Sequence, residues 1–153
     1  MKRIDVQAAL VRVGSSYPSP HAAPCAARVR RRLGEAGGLM AFGVNQLTLP
    51  PGAWSSQRHW HSTEDEFVMV LAGEVVLVTD AGEEALCAGD SVAFPAGDPN
   101  GHHLVNRSGA DAVLLEVGSR RPDDRTVYPD IDMVAEPGEH GYRHRDGAPY
   151  PEA

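Results

Sequence analysis

Cysteine is scarce in this chain: Cys25 and Cys87 stand far apart and neither belongs to a Cys-x-x-Cys pattern. Neither a disulfide framework nor a thiolate zinc site is indicated, and two free thiols are expected. Positive charge is also short. Fourteen Lys and Arg against 21 Asp and Glu leave a formal net charge of −7. A surface that binds a phosphate backbone needs clustered cations, so nucleic acid is not an expected partner. Long hydrophobic runs are missing, since no segment approaches 18 apolar residues. The opening "MKRIDVQAALVRV" places an acid and a glutamine where a signal peptide needs its apolar stretch. A cytoplasmic protein without membrane contact is expected. Helical periodicity is weak throughout, and no internal repeat of useful length is visible.

What is present is turn chemistry between short apolar runs. The 153 residues make about one domain, large enough to bury a core without disulfide or metal staples. Sixteen Gly and 12 Pro point to many turns. "LMAFGVNQLTL" ends at Pro50-Pro51-Gly52, "EFVMVL" ends at "AGE", "VVLVT" ends at "DAGEE", "SVAF" sits between "AGD" and "PAGDPNG", and "DAVLLEV" follows "NRSG". Runs of this length and spacing predict an all-β, antiparallel sandwich or barrel. Residues 1–38 are expected to be an N-terminal arm of the same domain, irregular through "SYPSPHAAPCAA". Residues 39–118 are expected to form the barrel, and the polar residues 119–153 a tail packed on it or on a partner subunit. Arg28 and Arg30 to Arg32 are most simply the solvated flank of a strand or arm, with a phosphate or subunit contact as the alternative.

"RHWHSTEDEF" carries the densest chemistry. On a strand, His59 and His61 share a face while Arg58 and Trp60 take the other. Glu66 is five residues past His61, the wrong parity for one continuous strand. The polar "STED" therefore suggests a turn, with Glu66 opening the next strand and returning its carboxylate to the same cavity. Glu64 and Asp65 suit a solvated turn. Glu66 directly precedes "FVMVL", where an unpaired charge is expensive, so it needs a partner. In "HHLVN", His102, Leu104 and Asn106 share one face, and His103 and Val105 the other. Two imidazoles, a carboxylate and a third imidazole make a metal site; a solvated His-x-His and a self-satisfied polar cluster are the plainer alternatives.

The stretches "GAWSSQRHWHSTEDEFVMVLAG" (52–73) and "GDSVAFPAGDPNGHHLVN" (89–106) resemble the two motifs of the cupins. Gly52, His59, His61, Glu66 and Gly73 match the first, except that six residues rather than five separate Gly52 from His59. Gly89, Pro95, Gly97, His102 and Asn106 match the second, although four residues rather than two separate Gly97 from the histidine. That insertion admits His102 or His103; spacing to Asn106 and strand parity favour His102. The resemblance covers roughly residues 39–118. It implies a single-domain β-barrel of the jelly-roll type with an interior metal site of three histidines and one glutamate, frequently in a homodimer. "YPDIDM" resembles the segment after the barrel in small bacterial cupins, some of them sugar-phosphate-isomerase-like.

Four N and O ligands fill a tetrahedral zinc shell but leave two places open on an octahedral ion, so one divalent ion (Fe, Mn, Ni or Zn) is the expected cofactor. A small substrate with two adjacent oxygens could chelate it. The expected function is a metal-dependent enzyme in which the ion is a Lewis acid, isomerase-like. An Fe(II)-dependent dioxygenase and a non-catalytic sugar-binding module are the alternatives. Gln57, by parity with His59 and His61, and Asn106, by parity with His102, are candidate substrate contacts. So is Glu116, which alternates with Leu114 and Ala112, although an outward charge is its more ordinary role. For Asn106 the competing role is a structural amide in a turn. Tyr128 and Tyr142 could close over the barrel or pack on a neighbour, and His140 and His144 are expected to be plain tail histidines.

Overall fold

The computed structural model describes residues 3–151. The arm supplies β1 (Val11–Val13) and β2 (Val29–Arg32), followed by a single helical turn, α1 (Leu33–Ala36). The barrel strands are β3 (Phe42–Leu49), β4 (Trp60–His61), β5 (Glu66–Ala72), β6 (Glu74–Thr79), β7 (Gly82–Cys87), β8 (Ser91–Phe94), β9 (His103–Val105) and β10 (Ala112–Ser119). The tail adds β11 (Thr126–Tyr128) and β12 (Met133–Ala135). All pairings are antiparallel. One sheet runs β1-β2-β3-β10-β5-β8; facing it are β7-β6-β9 and β12-β11-β4. The architecture is the all-β jelly-roll barrel. Arm and tail both enter the sheets, through β2 beside β3 and β11 beside β4.

Turn residues set the strand ends. β3 stops at Pro50, which lacks the N–H a ladder needs. Gly73 alone links β5 to β6 with φ near 77°, and a Cβ there would lie 2.8 Å from the Asp111 carbonyl oxygen. Only glycine fits such a turn without strain.

Register explains where the core ends and the site begins. Arg30, Leu47, Leu114 and Val70 stand side by side across four strands, as do Asn45, Glu116, Val68 and Val92. Side chains two apart share a face, so the inward face of the large sheet reads Leu49-Leu47-Asn45 on β3, Ala112-Leu114-Glu116 on β10 and Val70-Val68-Glu66 on β5. Each strand turns from apolar to polar in the same direction. At the apolar end Leu47, Leu49, Val70, Ala112 and Leu114 pack against Val75, Leu77, Leu86 and Leu104 of the facing sheet. Each such buried Val or Leu contributes about 1.5–3 kcal/mol relative to exposure. The polar end is left for chemistry. A second cluster of Tyr17, Cys25, Tyr128 and Met133 joins arm to tail beside it. Among the described residues no helix is long and apolar enough to cross a membrane.

Two expectations change here. The arm arginines are not a solvated flank: Arg28 is buried, and Arg30 lies on the inward face. Tyr128 is not a lid at the mouth but is buried, with its ring 5.8 Å from that of His59.

Candidate metal centre

His59 and His102 are brought together by backbone. They form an isolated antiparallel bridge, with His59 N donating to His102 O at 3.1 Å and His102 N donating to His59 O at 2.9 Å. Directly opposed residues point to the same side, and the ring centroids are 4.9 Å apart. His61 follows two residues on in β4, its ring 5.0 Å from that of His59. Glu66 opens β5, and its Oε2 receives all three imidazoles: His102 Nε2 at 2.9 Å, His59 Nε2 at 3.5 Å and His61 Nε2 at 3.6 Å.

The outer ring nitrogens are held. His59 Nδ1–H donates to Gln57 O at 2.9 Å, and His61 Nδ1–H donates to Asp124 Oδ2 at 2.7 Å. Asp124 is itself fixed by the Thr63 N–H at 2.9 Å and the Thr126 hydroxyl at 3.3 Å. In their neutral forms His59 and His61 therefore aim Nε2 lone pairs at a carboxylate oxygen. Lone pairs facing a carboxylate repel unless a proton or a cation stands between them. A divalent ion suits this donor set of three nitrogens and one oxygen, with no thiolate. Phe94 stacks on His102 with 3.5 Å between centroids and so fixes the third ring. His103 faces the other way, donating Nδ1–H to Ser56 O at 3.0 Å against the Trp54 ring.

Proton affinities follow the crowding. Burial raises Glu66, but hydrogen bonds from His102 and His59 and the nearby imidazole charge outweigh it and hold the carboxyl well below its usual range. For His59, burial opposes the charge, yet Glu66 overcomes it and the pKa is raised. Burial lowers His102, with Glu66 only partly offsetting it. Ligand atoms of His59, His61 and Glu66 all lie within 4.8 Å of one another, with His102 joined to them through Glu66, and a second grouping, His61 with Glu64 and Asp124, meets the same distance. It meets His61 at Nδ1, the nitrogen bonded to Asp124, so it supports the first grouping rather than competing with it.

A cavity of about 280 Å³ opens from these residues and is also lined by Arg12, Arg30, Tyr17, Tyr142 and Glu116. A smaller recess of about 130 Å³ lies beside His61, Glu66 and His102. Glu116 points inward rather than to solvent, with Oε1 accepting from Arg30 Nη2 at 3.1 Å. The other two proposed contacts are turned elsewhere. Gln57 donates its amide N–H to His21 O at 2.7 Å, tying down the arm, and does not line either cavity. Asn106 is fully buried: its Nδ2 donates to Leu49 O and Ala110 O, and its Oδ1 accepts from the Ser108 N–H and hydroxyl. It is a structural amide. His144 pairs with Asp132, as a tail histidine would.

Sequence reasoning missed Asp124, Arg12 and the inward turn of Arg30. Asp123 and Asp124 are neighbours of one residue type; one pairs with Arg121 on the surface and the other orients His61. No local signal separates them.

Residues 45–118 match the cupin domain family model. A sugar phosphate isomerase of the cupin superfamily from Silicibacter pomeroyi is 46% identical, with 98% of this chain and 97% of that one aligned and a TM-score of 0.92. A putative sugar phosphate isomerase from Acidithiobacillus ferrooxidans is 28% identical, over 83% and 82% of the two chains, with a TM-score of 0.72. The polyketide cyclase RemF from Streptomyces resistomycificus shares the fold at 24% identity, over 84% and 86% of the two chains, with a TM-score of 0.64. No curated protein sequence matches. With the motif histidines and glutamate on one inward-facing site and a relative this similar along nearly its whole length, the chain belongs to the cupin superfamily.

Proposed function

We propose that this protein is a metal-dependent isomerase-type enzyme acting on a small oxygenated metabolite, with His59, His61, Glu66 and His102 as the ligands. The observation that carries it is the convergence of three Nε2 atoms on one Glu66 oxygen while Gln57 O and Asp124 hold the Nδ1 protons of His59 and His61. Bound there, a divalent ion would polarise a substrate carbonyl or hydroxyl oxygen as a Lewis acid. The residues of the chain do the rest. Phe94 and Tyr128 wall the imidazoles, and Tyr17 and Tyr142 cover the cavity and limit water. Glu116 is the cavity carboxylate outside the ligand set, and we assign it a substrate contact. A cavity of about 280 Å³ lies just below the usual ~300–1,000 Å³ of ligand pockets and suits a metabolite of a few carbons. The Silicibacter pomeroyi relative, described as a sugar phosphate isomerase, supports isomerisation.

The test is metal analysis of protein grown in defined medium beside His61→Ala, followed by anaerobic turnover of aldose–ketose pairs in solvent deuterium. Metal in the wild type alone, with deuterium entering the substrate, supports the assignment. Equal metal in both proteins, or turnover that begins only when O₂ is admitted, overturns it. We further propose a homodimer through the outward face of the large sheet, where Val13, Phe42, Phe67 and Leu71 are exposed. Light scattering on the wild type and Phe67→Glu tests this, since a monomeric wild type removes it.

A further inference from the structure

We infer that Arg12 and Arg30, on the two arm strands β1 and β2, form an oxyanion-binding subsite that holds the phosphate or carboxylate group of the substrate. This rests on the ligand assignment above, to which it adds a substrate class. The two arginines lie outside residues 45–118, so the arm rather than the shared barrel supplies the selectivity.

Register makes the pair. Arg12 and Arg30 are directly opposed across β1 and β2, and both line the cavity that contains His59, His61, Glu66 and His102. Like charges directly opposed across strands repel, so the arrangement needs a counter-charge. Glu116 supplies part of it: its Oε1 is 3.1 Å from Arg30 Nη2, and its Oε2 is 2.9 Å from Arg30 Nε. The second approach is poorly aligned, and neither Arg30 Nε nor Glu116 Oε2 has a hydrogen-bond partner among the described residues. Arg12 has no ion-pair partner among the described residues. Arg28, two residues before Arg30 on the same face, adds positive charge while its guanidinium donates to the Gly14 and Ser55 carbonyls. Burial pushes the Arg28 pKa down and the neighbouring Arg30 charge adds to this, whereas at Arg30 burial is outweighed by Glu116, which holds its pKa up. Three arginines thus line one cavity with two carboxylates, Glu116 and the candidate ligand Glu66. Guanidinium groups hold phosphate and carboxylate through paired N–H bonds. A ligand bearing an oxyanion and two metal-chelating oxygens would match both halves of the cavity.

The experiment titrates inorganic phosphate, ribose 5-phosphate, ribonate and ribose into wild type, Arg12→Gln, Arg12→Lys and His61→Ala by calorimetry, with Mn(II) and after chelation. Arg12 is exposed, so its variants are expected to fold. The expected result is phosphate binding by the wild type that survives chelation and His61→Ala, weakens about ten- to hundredfold in Arg12→Gln and partly returns in Arg12→Lys. Ribose should bind alike in all arginine variants. Tighter ribose 5-phosphate than ribonate identifies a phosphate ester, and the reverse a carboxylate. Equal phosphate affinity in wild type and Arg12→Gln, or ribose bound as tightly as both anions, overturns the subsite. A wild type that binds phosphate but no Mn(II) would overturn the metal assignment alone.

Discussion

Asp124→Asn tests whether a carboxylate brought in by the tail sets the proton on His61. Oδ2 accepts from His61 Nδ1–H at 2.7 Å, and Oδ1 accepts from the Thr63 N–H at 2.9 Å. An asparagine has one oxygen for these two donors. If its oxygen keeps Thr63, its NH₂ faces His61 Nδ1, the imidazole proton moves to Nε2, and the nitrogen aimed at Glu66 cannot ligate. If its oxygen keeps His61, the Thr63 N–H faces another donor, and an unsatisfied buried donor costs about 1–3 kcal/mol. Losing such an orienting partner typically weakens metal binding about 10–100-fold, or about 1.4–2.7 kcal/mol. The second route would cost folding stability and leave metal affinity alone; the first is expected, because the Ser62 hydroxyl and the Thr63 N–H and hydroxyl all donate to Oδ1 and keep the amide oxygen there. Competition against a chromophoric chelator with Mn(II) and Ni(II), on wild type, Asp124→Asn and His61→Ala, measures it. Asp124→Asn within twofold of wild type, with His61→Ala unable to bind, would refute the tautomer argument.

Three further outcomes are expected. His102→Ala abolishes metal binding while His103→Ala retains it, because only His102 Nε2 reaches Glu66; metal content of the purified variants decides this. Gly73→Ala loses about 1–3 kcal/mol in urea unfolding, because φ near 77° is strained for alanine and its Cβ meets the Asp111 carbonyl; a change under 0.5 kcal/mol would show that the turn adapts. Asp130 is held below the usual carboxylate range by its bidentate bonds to Arg58. A depressed folded pKa contributes stability above the unfolded value near 4, and that contribution is lost as pH falls through the folded value. The stability gap between wild type and Asp130→Asn should therefore be open at pH 7 and close in acid, and a gap independent of pH counts against the clamp.

The candidate ligands were legible because their signals are local. Parity alone places His59 with His61 and His102 with Leu104, and the polar turn before Glu66 announces a new strand, as β5 proves to be. Turn residues between apolar runs likewise determined an antiparallel β architecture. The two amides show where parity stops: Asn106 satisfies its own turn and Gln57 ties the arm, choices made by which backbone groups lie within reach.

The sequence by itself determined which side chains could meet a metal and that strands would carry them, because alternation is imposed by the residue's own backbone. The tertiary structure alone decided that Asp124 orients His61 from 63 residues away, that Arg30 turns inward, and that the exposed Arg12 lines the same cavity. Such pairings depend on strands separated by long loops, and nothing in a short window of sequence records which distant strand will lie alongside.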